Sequence, residues 1–445
     1  MRNILRWSAV STAMLLVLAA CTTTPSGSAG PSGSAGASAG GSPVDAAAIC
    51  AADAVGCTEV APGDPIRIAS ANSFNGATLF LGTDVEYGIE VAIGDRGQLF
   101  GRDIESVRQD AGCSKAEDGQ TAAQAIVADK TIVAVVGTTC SRTAVPAMPV
   151  LAEAGLVMIS ASNTAPSLTN PDDKDFGGPF YFRTAYNDKV QGAAVAKFAC
   201  EELKGKTAAT IHDGSPYAEQ LQQVFQEQFV AQCGGTITAH EAIQIGDTDF
   251  HPVLTTICGG HPDILFFPIF DPEGPILTNQ TQEVASCAGV TLIGADGIKD
   301  DGFIGVAGKV AEKVGMYFSG PDLNFGTKYT DDFLPKYRVI SGTANPIAPY
   351  HAHGYDAANI IMDAIKAVGV EDADGTLWIP RDQLRQYVAN LKDYDGLTGM
   401  LTCDEFGDCG SSFVSIAQLV THPPVAPATT PTQTFDSVYS TRPAS

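Results

Sequence analysis

Residues 135–147 read VVGTTCSRTAVPA. The apolar run 132–136 stops at Gly137, and Thr138, Thr139, Cys140, Ser141 and Thr143 follow before a helix-like stretch at 144–154. A short Val/Ile run without polar alternation reads as a strand covered on both faces. A strand that turns at once into a helix is half of a βαβ unit, and the alternation recurs from residue 65 onward. Strands are expected at 66–69, 104–108, 132–136, 156–160, 208–212, 264–267 and 290–294. Helices are expected between them at 84–93, 118–128, 144–154, 190–203, 217–231 and 272–285. The pattern is α/β and doubly wound, and 445 residues suit two such lobes. Beyond about residue 320, helices at 350–368 and 381–391 and strands near 398–402 and 412–419 are too few for a third domain. They are expected to complete the first two.

The ends of the chain differ from its body. Arg2 and Arg6 precede a short apolar stretch at 8–20, too short for a comfortable membrane span, which reads as a signal segment. It ends in Leu18-Ala19-Ala20-Cys21, which resembles a bacterial lipobox and implies a lipidated Cys21 anchored in a bilayer; the alternative is a plain secretory signal. Residues 22–42 are Gly/Ser/Ala/Pro low complexity and read as a flexible tether. The tail from Thr421 is Pro/Thr-rich and reads as disordered. With 26 Lys+Arg against 50 Asp+Glu and no basic run, the chain is a poor partner for nucleic acid.

Eleven cysteines less Cys21 leave ten, and no CxxC spacing points to zinc or redox chemistry. In an oxidising compartment disulfides are expected, and neighbouring pairing would give Cys50–Cys57, Cys113–Cys140, Cys200–Cys233, Cys258–Cys287 and Cys403–Cys409. Sequence alone leaves the connectivity open.

Open parallel sheets bind ligands beyond the carboxyl ends of their strands. Ser141 stands there, at a helix start whose free amides and dipole favour an anion. The next junction, Met158-Ile159-Ser160-Ala161-Ser162-Asn163-Thr164, repeats the chemistry, so two strand ends could hold one carboxylate. Ser, Thr and Asn are also ordinary turn and capping residues.

A series of motifs then resembles one family. It runs through Cys113, VVGTTCS (135–141), Pro146-Ala147, EAGLVMIS (153–160), TAP (164–166) with Leu168-Thr169, and FRT (182–184). It continues with Gln191-Gly192, IHD (211–213) with Tyr217, Asp271-Pro272-Glu273 and GADG (294–297), traceable from about 66 to 419. The series resembles the leucine/isoleucine/valine-binding proteins, the type I solute-binding proteins of ATP-driven (ABC) amino-acid importers. The resemblance implies a type I periplasmic-binding-protein fold, two doubly wound parallel-sheet lobes joined by a three-strand hinge. Lobes are expected at 65–183 with 320–395 and at 184–319 with 396–420, after a lead-in at 21–64, with crossings near 183–186, 319–322 and 394–397.

It further implies that Ser141 grips an α-carboxylate, that Ser162 offers its carbonyl to the ammonium, and that Thr164 offers hydroxyl and amide. Tyr217 would close over the ligand from the second lobe, and Asp296 would stand for the family's acidic partner of the ammonium. Cys113–Cys140 matches the family's disulfide. Thr139, Phe270 and the region of Leu81 depart from the family's pattern, so the side-chain pocket is expected to differ. The ligand is then a branched aliphatic amino acid, a more polar one or an amide, delivered without chemistry by a monomer to a membrane permease, with no cofactor. Two rivals remain open: a sensor subunit of the same fold, and a hydrolase. No G-x-S-x-G or HExxH motif occurs, and the seven histidines show no metal-like spacing.

Overall fold

A computed structural model describes residues 46–424 and 432–443; the signal segment, Cys21 and the Gly/Ser tether lie outside the described residues. The first sheet has the order Ile104–Asp110, Ile66–Asn72, Ile132–Gly137, Met158–Ser160, Tyr181–Arg183, all parallel. Every residue of Ile132–Gly137 is buried, as an unbroken apolar run requires. Successive side chains divide between two cores: Ile68 and Val136 face one, Ala69 and Val135 the other.

The second sheet has seven strands. Thr236–Ala242, Thr207–His212, Ile264–Phe267, Thr291–Gly294 and Tyr317–Pro321 run parallel, and Val414–His422 and Thr432–Ser440 close one edge antiparallel. Here too the faces separate, with Leu265 and Phe267 on one side and Ile264 and Phe266 on the other. The strand Thr236–Ala242 escaped the sequence pattern because it lies at the sheet edge, with no side chain fully buried. Helices pack across both faces, among them Asp188–Glu201 against Pro216–Cys233 and His351–Val368 against Leu79–Arg96.

Three expectations need correction. The tail is not wholly irregular: Thr432–Ser440 forms a strand whose Phe435 ring sits 4.9 Å from Phe318. Proline-rich composition averaged over 421–445 hid nine residues, TQTFDSVYS, that contain no proline and can complete a ladder. The third crossing is not at 394–397. Tyr394–Asp395 pairs with Met400–Leu401, and Leu401, Cys403 and Cys409 pack in the first lobe's core. The amides of Arg183 and Cys409 bond to the carbonyls of Gly407 and Arg183, so the chain returns beside the first crossing before passing to Val414. The lobe boundary expected at 395–396 therefore moves to about 410–413, because the Cys403–Cys409 loop carries apolar side chains that the first core absorbs. The disulfides follow neighbouring pairing throughout.

Candidate functional site

The opening stretch forms the junction between Ile132–Gly137 and the helix Ser141–Glu153. Gly137 has φ of 149°, and a Cβ there would meet the Ala71 carbonyl oxygen at 2.3 Å, so only glycine lets the chain turn this close to its neighbour. Cys140 is the N-cap residue and is tied by its disulfide to Cys113, which fixes the helix start against the preceding junction. The amides of Ser141 and Arg142, in the first turn, have no acceptor within the helix.

The two hydroxyl-rich junctions are laced together. Ser160 Oγ and Asn163 Nδ2 both donate to the Thr138 carbonyl at 2.9 Å, and Ser162 Oγ donates to the Thr139 carbonyl at 2.8 Å. Behind them Arg183, fully buried, pairs with Asp408 and donates to the Ala165 carbonyl at 2.9 Å and Thr169 Oγ1 at 2.8 Å. Such bonds hold the loop before any ligand arrives.

Across from these loops, the second lobe offers its own strand ends. Tyr217 opens the helix after Thr207–His212, Phe270 follows Ile264–Phe267, and Asp296 follows Thr291–Gly294. Tyr217 and Phe270 stack obliquely, ring centroids 5.0 Å apart. Asp296 is buried and accepts from Gln191 Nε2 at 2.7 Å, Tyr217 OH at 3.0 Å and Tyr350 OH at 2.8 Å. Burial pushes its carboxyl upward, and these three donors pull it back toward the charged form.

Leu81, Thr139, Cys140, Ser141, Ser162, Tyr217, Phe270, Asp296 and Tyr350 surround one cavity between the lobes. Its volume is only about 10 Å³. This is a shut cleft: a guest larger than water needs the lobes to part. Seven of the eight residues named from sequence meet there. Thr164 does not line it. Its carbonyl accepts from the Asp188 amide at 2.9 Å and its buried hydroxyl lies beside the Asp188 carboxyl, so it ties the loop to the next helix. Tyr350 and Gln191 are the residues that sequence reasoning missed. Tyr350 reaches Asp296 from the first lobe, and nothing in its local sequence marks it, since it reads simply as the start of a helix.

Two lobes hinged by three crossings, with polar strand ends facing one shared cavity, define a clasping binding protein. A family model described as periplasmic binding protein matches residues 65–414, and the chain belongs to that family. Among curated relatives it is similar to a Leu/Ile/Val-binding protein of Rhizobium johnstonii, 28% identical over 355 residues that cover 77% of this chain and 90% of that one. Among solved structures it is similar to a leucine-binding protein of Thermotoga maritima, with a TM-score of 0.70, 22% identity and coverage of 83% of this chain and 97% of that one. A branched-chain amino acid binding protein of Streptococcus pneumoniae in complex with isoleucine gives a TM-score of 0.68 at 22% identity, covering 84% of this chain and 99% of the other.

Proposed function

We propose that the chain captures an amino acid with a small or branched aliphatic side chain between its lobes and hands it, unchanged, to an ABC-type permease. Asp296 carries the reading. It is a buried carboxylate held by three neutral donors, with no cation in ion-pair contact among the described residues, and an ammonium would supply the missing charge. Ser141, with its amide at the helix start, would take the carboxylate, and the Ser162 carbonyl would share the ammonium. Leu81, Phe270 and Thr139 would bound the side chain. The names of the curated relatives support an aliphatic cargo. The lipobox-like Cys21 supports tethering to the outer face of a membrane.

A calorimetric screen of amino acids and amides tests this. Leucine, isoleucine or valine is expected to bind. Ser141→Ala and Asp296→Asn are each expected to weaken that binding by roughly 10- to 100-fold, since a charge-assisted hydrogen bond contributes about 1.5–3 kcal/mol. Undiminished binding in both variants would place the cargo elsewhere.

A further inference from the structure

A second and roomier cavity lies between the lobes and shares no lining residue with the first. Its volume is about 320 Å³. One wall is the loop before the helix His351–Val368, including Asn345 and Ile347; another is the helix Asp301–Val314 with Ile304; the third is the C-terminal strand at Phe435. That third wall lies beyond residue 414, where the family match ends. The lobes touch at its edge, where the Asp301 amide donates to the Ile347 carbonyl at 3.1 Å.

Lys299 lines this cavity. It is 5% exposed, its stem runs past Gly320, and its ammonium has no hydrogen-bond or ion-pair partner among the described residues. Burial pushes its pKa down to about 8 although Asp296 and Asp322 lie near enough to raise it. Those two carboxylates are bonded to other donors, Asp296 to Gln191, Tyr217 and Tyr350 and Asp322 to the Asn324 amide and Arg442, so an anion reaching the ammonium from the cavity would offset its desolvation further. The remaining walls decide what kind of anion. They are largely apolar, and the one other charge among them, Asp301, is exposed and would repel a phosphate more than a single carboxylate.

We propose that this cavity is a second ligand site for an organic monocarboxylate with an apolar body, its carboxylate on Lys299 and its body against Ile304, Ile347 and Phe435. Because the walls come from both lobes, an occupant would favour the closed form and tighten cargo binding by linkage.

4-Iodobenzoate is the probe, since iodine scatters anomalously, and 4-iodobenzamide is its uncharged control. Calorimetry on the full exported chain is expected to show binding of the acid and at least tenfold weaker binding of the amide. Lys299→Met should lose the acid, and Ala344→Trp, which fills the exposed mouth without touching the charge, should lose it too and guards against a folding defect in the first variant. Ser141→Ala, in the other cavity, should keep it, and a crystal should place iodine near Phe435. The proposal fails if the acid does not bind, if the amide binds equally, if both Lys299→Met and Ala344→Trp retain the acid, or if Ser141→Ala alone abolishes it.

Discussion

Asp271 and Asp300 crowd one small space beside the cleft, where the second lobe meets Phe80 of the first: a Cβ on Gly302 would lie 2.7 Å from Asp271 Oδ2, 3.0 Å from Asp300 Oδ1 and 3.1 Å from Phe80 Cδ2. The two carboxyls bond to each other, and one oxygen of each is buried with no other partner among the described residues. Burial first, then the charge of Asp300, pushes the Asp271 carboxyl up to about 9, and burial pushes Asp300 up to about 7. At this pair the folded protein therefore holds protons that the unfolded chain releases near pH 4, and the pair's contribution to stability falls as pH rises from about 4 toward 9. Asp271→Asn keeps the shape and removes the charge. It is expected to raise stability by about 1–3 kcal/mol at pH 8 and to leave it nearly unchanged at pH 4. Denaturant melts of both proteins across that range decide it, and parallel pH profiles would refute it. Asp300 is the poorer choice for substitution, since its side chain caps a helix by accepting from the Phe303 amide at 2.9 Å.

At the scale of elements, the disulfide Cys113–Cys140 joins the end of one βα junction to the start of the next helix. It closes a loop with a sequence separation of 27, for which chain entropy gives about 3–4 kcal/mol of stabilisation. The double variant Cys113→Ala/Cys140→Ala should unfold at correspondingly lower denaturant, and its cargo affinity should fall as the amides at Ser141 lose their anchor. Affinity preserved beside that lost stability would mean the helix start is held by packing alone. The elements that sequence made legible were those whose burial is complete: Ile132–Gly137 and Ile264–Phe267 are apolar throughout and bounded by helices. Edge elements carried no such signal. Thr236–Ala242 mixes threonine, histidine and glutamate with its apolar residues, and Thr432–Ser440 follows a proline-rich stretch, so each becomes a strand only because a neighbour supplies the ladder. The cleft divides the same way. Ser141 and Asp296 sit in local motifs, whereas Tyr350 reaches Asp296 from 54 residues away through the packing of the whole molecule.

Over the whole molecule, closure is a balance of small cross-lobe bonds set against the hinge. Some lie at the cavity, such as Tyr350 to Asp296. Others lie away from it: Ser167 on the first lobe and Gln220 on the second exchange two bonds, amide to Oε1 at 2.8 Å and Nε2 to Oγ at 2.9 Å, and neither residue lines the cleft. A ligand that needs the closed form binds with an apparent affinity reduced by the fraction closed. Each net hydrogen bond contributes about 0.5–1.5 kcal/mol, so Gln220→Ala should weaken cargo binding by about 5- to 100-fold if the closed form is then in the minority. The loss belongs in the dissociation rate, because the open form that admits cargo is untouched. Small-angle scattering of the unliganded variant should show a larger radius of gyration than the parent, and saturating cargo should bring the two together. A variant that binds as the parent does, with the same radius in both states, would mean that the pair forms only after closure is complete and contributes nothing to it.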